Sequence, residues 1–460
     1  LIRRYLVSLS HSRGEIEKIK INYMPGVLRI INRLNLGGPT FNAALLTKHL
    51  APEYETLLVA GMKEEEEASS EFILNDLGIE PLYIPNMFRS INPLRDLPAY
   101  RQLKKIIREF KPDIVHTHAA KAGALGRLAA IDCGVPVVVH TFHGHVFHSY
   151  FGPLKTRLYI EIERWLAKNS SKIIAISPSQ KGELSQTYNI CSDDQIEIVP
   201  LGFDLSRFQT NQTEKRVSFR KKYQLADDEI AIGIVGRLVQ VKNHGLFLQT
   251  LKQVLNQTTQ KIRAFIVGNG EEHDNLLQIA RDLDIPFSTP EYNAHQQMPL
   301  TFTSWIKNID EVYAGIDIVA LSSLNEGTPV SLIEAQAANK PIVSTNVGGV
   351  CDVVMPGKTA LISPSNDIDQ FAQQMLKLIE SNTLRQKLGK SGHNFVNRKY
   401  HYTRLVNDMD MLYQKLLYQN VPAKVKPKFQ QLPQPINLSP AMATAQNMAS
   451  VSIASNFAQK

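Results

Sequence analysis

A chain of 460 residues, 43% of them hydrophobic, is long enough for two domains with cores of their own, and three scattered cysteines, Cys133, Cys191 and Cys351, argue against a disulfide framework and fit a reducing cytosol. The net charge of +8 is carried mostly by the ends, +3 in residues 1–24 and +4 in residues 421–460, so the middle lacks the basic surface by which a protein holds nucleic acid. No apolar run reaches the ~18 residues of a membrane-spanning helix, and the opening Leu1-Ile-Arg-Arg-Tyr-Leu-Val-Ser-Leu is too short and too charged for a signal peptide.

Residues 1–26 form an extension without a defined element. Order begins with a buried-strand pattern over 27–31, followed by Leu36-Gly-Gly-Pro39 and an amphipathic helix through Leu50. Strand, glycine turn and helix make the opening of a doubly wound α/β unit, with Gly37 and Gly38 letting backbone approach a ligand. The dinucleotide fingerprint G-x-G-x-x-G is absent. A strand over 56–60 is followed by the charge run Lys63-Glu-Glu-Glu-Glu67, a solvated loop. The helix 94–110 carries Arg95, Arg101, Lys104, Lys105 and Arg108, a basic face able to meet solvent or anionic lipid headgroups. Strands over 114–118 and 135–139 follow, ending among His116, His118, His140, His143, His145 and His148. Zinc is one reading of that crowd, but the spacing matches no known ligand set; strand-end histidines and an active-site loop are the others. A helix over 153–169, a strand over 172–177 and a strand over 196–200 close this half.

The pattern then restarts. Strand 230–235 runs into Gly236-Arg237-Leu238 and a helix beyond Lys242-Asn243, and strand 263–267 into Gly268-Asn-Gly270. Strand 316–321 leads to Glu326-Gly-Thr-Pro-Val-Ser-Leu-Ile-Glu334, and strand 341–344 to Gly348-Gly349. Near-continuous Val and Ile strands alternating with helices predict parallel sheets covered on both faces. Arg237 and Lys242 then stand just past a strand, where such sheets place ligands. Thr328 suits a helix N-cap with Pro329 in the first turn, so free N–H groups would stand beside Glu326 and Gly327. Glu334 lies among Leu332, Ile333, Ala335, Ala337 and Ala338, an apolar setting for a merely solvated acid. A helix over 401–418 follows. Residues 421–460, rich in Pro, Gln, Ser, Ala and Asn, have a disordered composition.

The Glu326–Glu334 segment resembles the E-x7-E motif of the retaining glycosyltransferases of family 4. The run from Asn92-Pro-Leu through His118 to Lys121-Ala-Gly and Gly126-Arg127 resembles the first domain of the same enzymes. The likeness extends over about residues 27–418 and implies the α/β GT-B fold, two Rossmann-like doubly wound domains facing across a cleft. The implied division is 1–26 extension, 27–205 acceptor domain, 206–395 nucleotide-sugar donor domain, 396–420 a helix returning to the first domain, and 421–460 tail.

What the resemblance implies for the site is specific. Glu334 would bind ribose and Glu326 would orient sugar hydroxyls, with Gly327 and Thr328 beside it. Arg237 and Lys242 would grip the diphosphate, Gly37 and Gly38 would face the cleft, and His143 would reach the donor sugar. Two cations and helix ends at the diphosphate would take the place of a metal, so no metal or other cofactor is expected. Thr328 departs from the aromatic or aliphatic residue that many members carry after Glu-Gly. The implied reaction is retaining transfer from a nucleoside-diphosphate sugar, UDP-linked, to a lipid-linked or polysaccharide acceptor in cell-envelope or exopolysaccharide synthesis. The place would be the cytoplasm, peripheral on the inner membrane face. A nucleotide-sugar 2-epimerase shares the fold, as would a non-catalytic scaffold binding partners through its basic ends. The intact Arg237, Lys242, Glu326 and Glu334 argue against the scaffold. No motif encodes the sugar, the acceptor or the oligomeric state.

Overall fold

The computed structural model describes residues 5–8, 20–34, 38–63, 70–144, 153–293 and 296–420. Gly37, the acidic run after Lys63, His145, His148 and the tail 421–460 lie outside the described residues. The segment expected to lack elements contains a short antiparallel pair, β1 (Tyr5–Ser8) and β2 (Lys20–Tyr23).

The first large sheet contains β3 (Gly26–Ile31), β4 (Glu55–Gly61), β5 (Leu82–Ile84), β6 (Ile114–His118), β7 (Val137–Phe142), β8 (Lys172–Ala175) and β9 (Ile196–Ile198). Their spatial order is β5-β4-β3-β6-β7-β8-β9, all parallel. The second contains β10 (Ile230–Val235), β11 (Ile262–Val267), β12 (Phe287–Ser288), β13 (Leu300–Phe302), β14 (Ile318–Leu321), β15 (Ile342–Thr345) and β16 (Ala360–Ser363). They are again parallel, in the order β12-β13-β11-β10-β14-β15-β16. β-branched runs such as Val137-Val-Val favour the strand, and helices on both sheet faces leave every residue of β3, β6 and β7 buried.

Strand order reverses between β3 and β6 in one sheet and between β10 and β14 in the other. At such a reversal the loops leaving neighbouring strands part to opposite faces, and a crevice opens at the carboxyl ends. β7 runs past the expected end at 139 through His140 to Phe142, so His140 is a strand residue.

Helix Gln212–Lys222 belongs with the second domain. Its Phe219 ring lies against Gly315, where a Cβ would meet the ring at 2.1 Å. After helix Asn382–Tyr400 the chain crosses back, and Phe203 marks the crossing: its N–H donates to Tyr400 O at 2.8 Å and its carbonyl accepts from Tyr402 N at 3.1 Å. Helix Tyr402–Asn420 then sets Leu405, Met409, Leu412, Tyr413, Leu416 and Leu417 against Val27, Leu46, Ile114, Val137 and Val139 of the first domain. Phe41, Ile176, Leu201 and Phe203 from the first domain join one apolar cluster with Val350 and Tyr400 of the second.

Candidate active site

The loops leaving β10 and β14, the neighbours at the second sheet's reversal, are tied to each other. Lys242 Nζ donates to Glu326 Oε1 at 2.6 Å, and Ser323 Oγ donates to the same oxygen at 2.6 Å. Leu324 N–H donates to Val241 O at 2.8 Å, and Ser322 Oγ to Lys242 O at 3.0 Å. A third loop, after β15, forms a shelf under them. Gly349 N–H donates to Glu326 O at 2.9 Å, and a Cβ on Gly349 would stand 1.8 Å from Gly327 O, so only glycine fits. Glu326 is thus held by a cation, a hydroxyl and a backbone amide. Arg237 projects from the first of these loops into solvent, and Gly268, at φ +148°, packs directly beneath Gly236 O.

The helix after Glu326 differs from expectation in one respect. It spans Val330–Ala337, with Pro329 as its N-cap at ψ 95° and no side-chain cap. Because Pro329 is extended, the helix opens one residue late and the Thr328 hydroxyl does not cap it. Its first N–H groups therefore have no side-chain acceptor from the N-cap residue, which suits an anionic ligand.

Glu334 lies in the second turn of helix Val330–Ala337 and is half-buried. Burial pushes its carboxyl up to about 7, against the pull of the nearby Arg207 guanidinium and a hydrogen bond from Tyr313, with Asp310 pushing the same way as burial. The single proton of the buried Tyr313 hydroxyl is shared between Glu334 and Ser331 O, the latter 3.0 Å away. The carboxyl therefore carries a proton part of the time at neutral pH.

In the first domain the histidines separate by face. His116 and His118 share one face of β6, and their rings lie 4.2 Å apart. His116 is enclosed: Nδ1 lies 2.6 Å from Tyr413 Oη and Nε2 2.7 Å from Thr141 Oγ1. His140 points to the other face, where Nδ1 lies 2.8 Å from Thr117 Oγ1 and the ring fills the space beside Gly123. His143, just past β7, brings Nε2 to 2.9 Å from Nδ1 of His118. Burial holds His143 at about 3 and His116, His118 and His140 well below the usual imidazole value. These rings are neutral at pH 7, so one of the two facing nitrogens carries the shared proton. His118 Nε2 and His143 Nδ1 are buried and have no partner within the protein. Among the described residues no group of three His, Cys, Asp or Glu is placed to hold a metal. Gly38 opens helix Gly38–His49, where a Cβ would touch Leu201 at 3.0 Å.

The structure therefore joins Lys242, Glu326 and Gly327 in one crevice and sets Glu334 on the adjoining helix. It places His143 and Gly38 at the matching edge of the other sheet. Residues 36–207 match the sequence model of Glycosyltransferase Family 4, and residues 215–395 match that of Glycosyl transferases group 1. The chain belongs to glycosyltransferase family 4. It is a glycosyltransferase of GT-B fold, with two parallel-sheet domains.

Among similar family members is the Escherichia coli UDP-Gal:alpha-D-GlcNAc-diphosphoundecaprenol alpha-1,3-galactosyltransferase, 27% identical over 339 residues, covering 74% of this chain and 84% of that one. The Staphylococcus aureus capsular polysaccharide biosynthesis glycosyltransferase CapM is 26% identical over 345 residues, covering 74% and 86%. Among solved structures, a Rickettsia africae glycosyltransferase superposes with TM-score 0.69 at 20% identity, covering 86% of this chain and 99% of that one. Anabaena HepE in complex with UDP superposes with TM-score 0.68 at 18% identity, covering 85% and 100%.

Within this glycosyltransferase, His118, Ser323, Arg207 and Tyr313 are polar residues at the site that the sequence did not single out as site members. The signal for His118 was present: two histidines two apart in a strand share a face, and the second ends the strand. Tyr313 carries no motif, and its place beside Glu334 follows only from the packing of helix Ile309–Gly315.

Proposed function

We propose that this glycosyltransferase moves a sugar, with retention, from a UDP-sugar to a lipid-linked or polysaccharide acceptor in envelope or exopolysaccharide synthesis. The observation that carries the reading is the meeting of Lys242 and Glu326 at the carboxyl ends of β10 and β14. A diphosphate arriving there finds a cation already positioned, and Arg237 in the same loop supplies a second. As the bond from the anomeric carbon to the diphosphate oxygen breaks, the two cations take up the developing negative charge without a metal. The acceptor oxygen attacks from the face the diphosphate leaves, and its proton passes to the departing phosphate oxygen. Glu326, with Gly327 and Thr328 beside it, orients sugar hydroxyls, and Glu334 accepts hydrogen bonds from ribose. Neutral His143 offers Nδ1 to the donor sugar, steadied through Nε2 by His118. Support for UDP and for envelope acceptors comes from the relatives: HepE was solved with UDP, and CapM is named for capsular polysaccharide synthesis.

The test is calorimetric binding of UDP-, GDP- and ADP-sugars to the wild type and to Glu334→Ala. UDP-selective binding that weakens about tenfold or more in the variant is expected, since a lost hydrogen bond to a charged group is worth roughly 1.5–3 kcal/mol. Wild-type protein that binds none of the three overturns the reading. Recovery of a C2 epimer from donor incubated alone would replace transfer by epimerisation.

A further inference from the structure

Helix Pro153–Lys168 turns an apolar ridge away from the protein. Leu154 is 86% exposed, Leu158 60%, Ile162 39% and Trp165 50%. With ~100° between successive helical residues, these four fall within an arc of ~80°. Single exposed apolar residues are ordinary, but four in register along one helix are a surface. The opposite side faces inward, with Glu163, Leu166 and Ala167 buried. Arg127 Nη2 donates to Glu163 Oε2 at 2.6 Å, and both side chains are out of water. That ion pair fixes the helix's rotation, so the ridge cannot turn inward without breaking a buried charge pair.

Charge says what covers the ridge. Lys155 flanks it on one side and Arg157 and Lys168 on the other; all three are exposed and make no ion pair among the described residues. The acid at the ridge, Glu161, is already matched by Arg164 Nη1 at 2.6 Å. A second copy of this face would set cation against cation along both borders. An anionic lipid surface neutralises both borders, takes the leucines into its acyl boundary and suits Trp165 at headgroup level. Helix Pro93–Phe110, whose basic face could meet either solvent or anionic lipid, is built differently. Its Lys104 pairs with Asp132 at 2.9 Å, and its exposed apolar residues Leu94 and Leu97 are confined to the first turns.

The helix also lies in the right place. It starts ten residues beyond His143, on the carboxyl side of β7, so Leu154 and Leu158 are at its end nearer the crevice. We propose that the outward face of helix Pro153–Lys168 docks this protein on an anionic lipid surface, with the mouth of the crevice held near the bilayer. The further step, that the acceptor is drawn from that bilayer, rests on the acceptor class proposed above; the docking itself does not.

The experiment is co-sedimentation of the full chain with phosphatidylcholine vesicles, with and without phosphatidylglycerol, in the absence of any donor. The wild type is expected to sediment with the mixed vesicles. Leu154→Ser/Leu158→Ser should partition about tenfold or more weakly, with melting temperature and UDP-sugar binding unchanged. Lys155→Glu/Arg157→Glu should lose the preference for phosphatidylglycerol. The chain has two tryptophans, so in Trp305→Phe the emission of Trp165 alone should shift to shorter wavelength on the vesicles. Wild-type protein that stays in the supernatant, or equal sedimentation with both vesicle types, overturns the proposal. So does a leucine variant that binds as well as wild type, which would move the contact to the basic ends. A wild-type dimer that becomes a monomer in the leucine variant, with no vesicle binding, assigns the ridge to a second copy instead. Because no donor is present, failure here leaves the transferase reading standing, and failure of donor binding leaves this one standing.

Discussion

At Glu334 a perturbed carboxyl coincides with the proposed ribose contact. Burial raises its carboxyl from 4.5 to about 7. In this direction the unfolded chain loses the proton first, so as pH rises from about 4.5 to about 7 the unliganded fold loses stability through this group. Denaturant unfolding across that window should show the slope reduced in Glu334→Gln. Ribose hydroxyls donate to a carboxylate and favour its ionised form, so donor binding should lower the pKa and release protons near neutral pH. Calorimetry in buffers of different ionisation enthalpy reads the release directly, and Glu334→Gln should abolish it. Lys242 is paired with the carboxylate of Glu326, and in the proposed reaction it also meets the diphosphate. Lys242→Met should lower kcat about 100–1,000-fold, the usual effect of removing one positioned donor to a developing anion. In the proposed reaction His118 acts through His143. His118→Ala frees Nε2 of His143, and 15N shifts of the His143 ring should change tautomer population together with a fall in kcat. His118→Asn, which keeps a hydrogen-bonding group, should recover part of both; variants with wild-type His143 shifts would remove His118 from that role.

Elements carry these side chains with different degrees of legibility. The central strands could be read because their Val and Ile runs are buried on both faces, and each such run leads into the loop that bears a site residue. Short strands such as Phe287–Ser288 and Leu300–Phe302 could not, because two or three residues show no period. The Thr328 cap was misread for a local reason: sequence favours Thr-Pro at a helix start, but the ψ of Pro329 decides where the helix opens. The Lys242–Glu326 bond joins residues 84 apart, so sequence offers only two motifs and the sheet order makes them neighbours. The histidine spacing put His118 at the end of its strand, but its pairing with His143, from the loop after the next strand, depends on the sheet order. The outward ridge of helix Pro153–Lys168 was hidden because a buried ion pair, rather than apolar residues alone, chooses which side faces in. Gly349 tests how the loops share space. Gly349→Ala would force the Glu326–Gly327 backbone to move, so donor affinity should fall while stability drops by about 1–3 kcal/mol, the usual range for overpacking. A melting curve and a donor titration on the same sample separate the two effects.

At the scale of the molecule, the two domains are joined by a crossing at Phe203 and Tyr400 and by a helix that belongs to one domain in sequence and the other in space. Tyr413 of that helix reaches His116 with its hydroxyl at 2.6 Å. Tyr413→Phe leaves a buried imidazole nitrogen unpaired and should destabilise the protein by about 1–3 kcal/mol, read as a lower denaturant midpoint. The same helix covers Val27, Leu46, Ile114 and Val137. That arrangement has a consequence for biosynthesis. The first domain leaves the ribosome with this apolar face bare, and its cover is encoded about 200 residues later, a delay of roughly 10–40 s at usual translation rates. The nascent first domain is completed only when that helix has been made, and during the interval its bare apolar face is open to capture by a chaperone.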